Sequence, residues 1–224
     1  MSKNEDLFEK SFNCPVCGYK FKALKVRSRK IRVTHRDPDG CAHFIGENPY
    51  FYNISICPEC GYAATEDRFE SIGFERKEII TERITPNWQK RDINRERDIE
   101  DAINTHKIAL HQALITDDTR QYIGLLAMFL AWLYRYIEDT KNERKFLEYA
   151  LDNFQKSYES EAFTKSFPIE RCAFLIGEIF NTFKKYDDAV KWYNIALEHS
   201  SLNPGMEKQI RERWQIVSQA RRRE

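Results

Sequence analysis

Two hexapeptides carry the clearest chemistry in this chain. Cys14-Pro-Val-Cys17-Gly-Tyr19 and Cys57-Pro-Glu-Cys60-Gly-Tyr62 repeat one pattern, with 39 residues between the inner cysteines. A two-residue gap allows a tight turn in which both sulfurs face one ion, and Gly18 and Gly61 supply the positive φ that closes such a turn. Four thiolates at about 2.3 Å in tetrahedral array suit Zn2+. A redox dithiol is the competing use of Cys-x-x-Cys, but that motif occurs singly and opens a helix, whereas here it is duplicated and followed by glycine. The spacing therefore predicts one zinc ion on Cys14, Cys17, Cys57 and Cys60. With cysteine at all four positions no place is left for water, so the metal is expected to be structural rather than catalytic. Cys41, His35 and His43 lie between the knuckles and compete as ligands; the expectation is a loop thiol at Cys41 and no metal contact from either histidine. Cys172, beside Ala173, Phe174 and Leu175, reads as a small core residue.

The elements that position these cysteines differ along the chain. Five of eight Gly and four of seven Pro precede residue 74, whereas 87–167 holds no Pro and only Gly124. The first third therefore reads as turns and short strands, and the rest as helices. Lys25 to Thr34 alternates apolar and charged residues, and Tyr50 to Ile56 is aromatic and β-branched; these predict two strands of a small sheet. Asp37-Pro-Asp-Gly-Cys41 and Gly46-Glu-Asn-Pro49 read as the loops around them. Thr65 to Ile72 predicts one short helix, capped by Thr65 and ended by Gly73. The charge-dense stretch from Glu75 to Arg97, with Pro86 and Trp88 inside it, marks a joint.

Beyond Asp98 the apolar spacing is helical. Ala102, His106 and Ala109-Leu110 recur as Ala150, Phe154 and Ser157, and again as Ala189, Tyr193 and Ala196-Leu197, each set spaced by four and then three residues. Each would lie on one helix stripe with small residues where a neighbour approaches. Further helices are expected over about 120–138, 169–185 and 205–222. The offsets of 48 and 39 residues between sets imply irregular pairs rather than a regular 34-residue repeat. The run Ile123 to Tyr134 is apolar on every side of a helix and belongs inside a packed layer, which favours core packing over a peptide groove for Trp132 and Tyr136.

Composition narrows function. The 224 residues carry 36 Lys+Arg against 35 Asp+Glu, a net charge of +1, which excludes a wholesale nucleic-acid or membrane coat. Charged residues at 32% and a mean hydropathy of −0.67 exclude an integral membrane protein, and the longest apolar run is 12 residues against the roughly 20 of a span. The opening MSKNEDLFEK mixes acids with bases and lacks an apolar core, so no secretory signal is expected and the location is read as cytoplasmic. Lys20 to Arg36 holds eight Lys or Arg and no acid, beside Tyr19 and Phe21; such a strand could follow a phosphate backbone, although a charged edge strand kept soluble is the more economical reading. Arg221 to Arg223 reads as a solvated tail. No HExxH, GxxxxGK[ST] or GxSxG is present and the five histidines are scattered, so no enzyme is expected.

CPVCGY, then RDPDG, GENPYFY and ISICPECGYAA, followed by AWLYR and FLIGEIF, in that order, resemble the bacterial domain-of-unknown-function family 2225 along nearly the whole chain. The resemblance implies an N-terminal zinc region joined to tetratricopeptide-like helices, with Cys14, Cys17, Cys57 and Cys60 as the metal positions and no catalytic residue to carry over. Independently, Glu170 to Ser201 is similar to one tetratricopeptide repeat, through Ile176-Gly177, Phe180, Tyr186, Ala189, Tyr193 and Ala196. The Lys and Asn that clamp a partner's carboxylate in such repeats are replaced by Phe174 and Glu178, so chaperone-tail recognition is not expected. The expected architecture is α+β, mostly α. A zinc-ribbon-like β module (1–74) and a joint (75–97) precede a tetratricopeptide-like helical-hairpin domain (98–224). The leading functional reading is a non-catalytic zinc-binding adaptor with a protein or peptide partner and no membrane; the alternative is a nucleic-acid-binding zinc ribbon using Lys20 to Arg36.

Overall fold

The computed structural model describes residues 4–199 and 204–223. The first three residues of the opening segment, and Ser200 and Ser201 at the end of the expected repeat, lie outside them. The chain is mostly α with an N-terminal β region. Among the described residues, six strands form three antiparallel pairs: β1 (Leu7–Asn13) with β2 (Lys20–Val26), β3 (Arg32–Arg36) with β4 (Ala42–Ile45), and β5 (Ile54–Ile56) with β6 (Ala63–Thr65). Helix α1 (Phe74–Ile79) runs into a π-turn (Ile80–Ile84) and a 3-10 turn (Thr85–Asn87). Six longer helices follow: α2 (Ile99–Ile115), α3 (Arg120–Tyr136), α4 (Thr140–Ser160), α5 (Ile169–Thr182), α6 (Tyr186–Glu198) and α7 (Pro204–Arg221).

Helix boundaries follow local chemistry. Asp98, Thr119 and Asp139 accept hydrogen bonds from the backbone amides of Asp101, Tyr122 and Asn142, capping α2, α3 and α4. Asp117, Glu138 and Lys184 take positive φ just after α2, α3 and α5 and turn the chain back into the next helix. All three stripes noted in the sequence are buried, apart from a half-buried Leu197. The central aromatics of the second and third meet glycines on the preceding helix: a Cβ on Gly124 would fall 2.6 Å from the Phe154 ring, and one on Gly177 2.7 Å from Tyr193. These two stripes are thus close helix contacts, α4 on α3 and α6 on α5, where any side chain at the glycine would force the helices apart.

Two cores result. The larger holds the helices together with Cys41, Ile54, Ile56 and Ala63 from the first third of the chain. The smaller gathers Phe12, Phe21, Tyr62, Phe69 and Ile80 around Cys14, Cys57 and Cys60. Full burial of a side chain such as Phe69 stabilises by about 2 kcal/mol, which matters in a cluster this small.

Several expectations in the first third are corrected. Lys25 to Thr34 is not one strand: a 3-10 turn at Ser28–Lys30 separates β2 from β3, and the N-terminal partner of β2 is β1. Tyr50 to Ile56 is a strand only from Ile54, because Pro49 starts a 3-10 turn capped by Asn48. Thr65 to Ile72 is not a helix but a series of i to i+3 turns, in which Arg68, Phe69 and Ser71 donate to the carbonyls of Thr65, Glu66 and Arg68. Long-range partners override the local signal there. Glu66 is drawn to Lys10 and Lys25, Arg68 to Asp118, and Phe69 into the small core.

Candidate metal centre

Each knuckle is built by the same two backbone bonds. In the first, Gly18 N donates to Cys14 O at 2.9 Å and Cys14 N to Tyr19 O at 2.9 Å; in the second, Gly61 N donates to Cys57 O and Cys57 N to Tyr62 O, both at 2.9 Å. Gly18 and Gly61 adopt φ of +75° and +78°, as closure of the turn requires. The first knuckle joins β1 to β2 and the second joins β5 to β6, so each antiparallel pair presents its turn, with both cysteines, to the other.

The four sulfurs lie within 4.8 Å of one another. Cys14 Sγ is 3.6 Å from Cys60 Sγ, and Cys17 Sγ is 3.6 Å from Cys57 Sγ. Sulfurs at 2.3 Å from a tetrahedral ion are about 3.8 Å apart along each edge, so the group could hold a metal ion with little movement. Cys14, Cys57 and Cys60 are buried, while Cys17 is open to solvent and marks the side of entry. The buried thiols also perturb one another. Contacts from Cys14 and Cys60 hold the Cys57 thiol far below the ordinary thiol range, and the same contact with Cys57 pushes Cys14 up to about 12. Cys60 is raised by its neighbours Cys14 and Cys57. One thiolate can be accommodated by thiol donors; four adjacent thiolates require a positive ion among them.

Residues with no metal-ligand signature in the sequence hold the second knuckle in place. Trp88 Nε1 donates to Pro58 O at 2.9 Å and its ring covers Gly61, where a Cβ would fall 2.4 Å from the indole. Thr85 Oγ1 donates to Cys60 O at 3.3 Å. From α2, the Gln112 amide accepts from Ala63 N at 2.8 Å and donates to Gly61 O at 2.7 Å. Gln112 is buried on α2, with both ends of its amide used by these two backbone groups.

Cys41, His35 and His43 stand apart from the four cysteines. Cys41 is in a loop, fully buried in the larger core, with its sulfur 3.8 Å from Tyr136 Oη. His35 and His43 form a separate group with Asp37. Cys172 is fully buried on α5. Trp132 and Tyr136 bind the loop before β4 and the start of that strand: Trp132 Nε1 donates to Asp39 Oδ2 at 3.0 Å, and Tyr136 Oη donates to Ala42 O. Phe174 and Glu178 are buried, with Glu178 held by Arg213 at 2.8 Å and Tyr193 at 2.8 Å.

The description "Uncharacterized protein conserved in bacteria (DUF2225)" belongs to a family whose profile matches residues 7–217 of this chain, from the first strand into the last helix. The chain belongs to that family. An uncharacterized protein of Borreliella burgdorferi (strain ATCC 35210 / DSM 4680 / CIP 102532 / B31) is 26% identical over 102 residues, covering 42% of this chain and 36% of the relative. This DUF2225 chain thus aligns with little more than a third of that relative's length. No solved structure matches it. Among the described residues no helix is long and apolar enough to cross a membrane.

Proposed function

We propose that this DUF2225 protein is a non-catalytic adaptor in which Cys14, Cys17, Cys57 and Cys60 hold one structural Zn2+ and the helices receive a protein segment. The observation that carries the metal half is the pair of 3.6 Å sulfur contacts between knuckles, close to a tetrahedral edge and with no fourth position left to water. Support for the partner half comes from a cleft of about 740 Å3 between the turn after β6, helix α3 and the segment joining α4 to α5. Leu125, Phe129 and Phe167 make its apolar wall, and Arg68, Glu161 and Arg171 stand at the rim. An apolar trough with charged edges suits an extended peptide whose side chains alternate.

The nucleic-acid alternative draws on the bases of 20–36, and several of these are engaged. Lys22 pairs with Glu9 at 2.9 Å, Lys30 with Asp6 at 3.0 Å, and Lys25 is buried against Glu66 and Tyr52 O. The discriminating experiment places a photocrosslinking residue at Leu125, identifies captured proteins by mass spectrometry, and remeasures binding with purified components. The adaptor reading expects binding to be lost with Phe129→Arg and retained when Arg27, Arg29 and Arg32 are all reversed to Glu. Submicromolar single-strand binding at physiological salt, abolished by that triple reversal, would overturn it.

A further inference from the structure

We infer that His35, Asp37 and His43 form a second metal site, distinct from the four cysteines, that takes an exchangeable divalent cation of the zinc and nickel class. The backbone sets it up. The register of β3 against β4 slips between Val33 and His35, a bulge that brings His35 directly opposite His43. The two imidazoles stack, with ring centroids 4.0 Å apart and planes within 9°. Asp37, the residue after β3, places Oδ2 3.0 Å from His43 Nε2 and Oδ1 4.0 Å from His35 Nε2. One ligand atom from each side chain lies within 4.8 Å of the other two. Ligands at about 2.1 Å from a tetrahedral ion are about 3.4 Å apart, so small side-chain rotations bring atoms now within 4.8 Å of one another to that spacing.

Outer contacts orient each ligand. Arg135 Nη1 holds Asp37 Oδ2 at 2.7 Å, which leaves Oδ1 for an ion. Thr34 Oγ1 is 3.1 Å from His35 Nδ1, giving that ring a partner on the nitrogen turned away from the site. The Tyr136 edge meets the His43 ring at 5.5 Å. Polar supports of the kind seen at His35 and Asp37 are characteristic of metal-bound histidines and carboxylates, while His43 is held by ring packing. A plain Asp37–His43 ion pair would be complete without His35, and nothing in such a pair calls for the second imidazole. The His35 side chain is 62% exposed, so an ion enters from solvent. Two nitrogens and one oxygen suit Zn2+, Ni2+ or Co2+, and three protein ligands leave at least one coordination position for water, unlike the closed four-cysteine group.

The test uses untagged, full-length protein whose cysteine site is already filled, titrated with Zn2+ alone in a calorimeter. One further equivalent per chain is expected. Its affinity should fall at least tenfold in His35→Ala and in His43→Ala, while elemental analysis after desalting still finds the first equivalent in both. His111→Ala removes an exposed histidine elsewhere and should leave the second equivalent unchanged. Absence of a second equivalent, or equal affinity in His35→Ala, an exposed position whose replacement leaves the fold intact, would overturn the inference.

Discussion

Arg135 and Asp39 are 96 residues apart in sequence and meet through an Nη2 to Oδ2 contact of 2.8 Å, with the Asp39 side chain only 6% exposed. The same guanidinium reaches Asp37 at 2.7 Å and Glu143 at 2.7 Å, and Asp39 also receives Trp132 Nε1 and the amide of Cys41. Burial opposes the charge on Arg135, yet the three carboxylates raise its pKa overall. The Arg-Asp-Pro-Asp-Gly loop and the Ala-Trp-Leu-Tyr-Arg helix end are therefore two halves of one contact, which docks the β3–β4 hairpin onto the C-terminus of α3.

Breaking that contact from the helix side should be severe. Arg135→Ala leaves a buried carboxylate unpaired and should destabilise by about 3–5 kcal/mol, read from the urea unfolding midpoint. Arg135→Lys should recover only part of this, since one ammonium cannot serve three carboxylates through a planar fork. Equal stability of Arg135→Ala and the parent would show that the loop is held by Trp132 and Tyr136 alone.

The two knuckle glycines should respond differently. Both sit at positive φ, so Gly18→Ala, facing open space, should lose about 1–2 kcal/mol. Gly61→Ala adds a clash with Trp88 and should lose clearly more, with Trp88→Ala relieving the excess in a double-mutant cycle. Additive losses in that cycle would mean the indole does not pack on Gly61.

Metal removal should act unevenly. Freshly purified protein is expected to contain about one tightly held zinc per chain, and Cys57→Ser to lose it. Chelation should release β1, β2 and both knuckles, whose core is the small cluster, while helical circular dichroism persists because the helices bury their own faces. Loss of most helical signal on chelation would show that the larger core depends on the metal.

Lys25 gives a pH signature of unusual sign. Burial lowers its pKa from the ordinary lysine value to about 8, against the opposing pull of Glu66. Between about pH 8 and 10.5 the unfolded chain then binds more protons at this site than the folded one, so this residue's contribution to stability rises with pH. Relative to Lys25→Met, the parent should gain up to about 3 kcal/mol across that window. A difference that stays flat from pH 8 to 10.5 would mean that Lys25 titrates normally.

A buried charge at Ala189 tests the helical pairing. Ala189 is fully buried on α6, and its carbonyl lies 3.4 Å from where a Gly177 Cβ would be. Ala189→Arg should destabilise by several kcal/mol, measured by thermal or urea unfolding. A loss below about 1 kcal/mol would place that side chain in solvent.

What the sequence determined by itself was local. The knuckles are legible because a Cys-x-x-Cys-Gly turn closes within five residues, and the helices because caps, stripes and missing prolines act over one or two turns. Ala150, Phe154, Ala189 and Tyr193 announced their burial through spacing alone, before any partner was known. The tertiary structure alone decided where distant pieces meet. Thr65 to Ile72 has a helical signal, but contacts from Lys10, Lys25 and Asp118, together with the place waiting for Phe69, outweigh propensities worth only tenths of a kcal/mol per residue. Gln112 on Gly61, Trp88 over the second knuckle and Arg135 on Asp39 bridge 51, 27 and 96 positions, and no periodicity encodes such pairs. The stacking of His35 on His43 depends on a bulge in one strand pair, because shifting a strand by one residue moves a side chain to the opposite face.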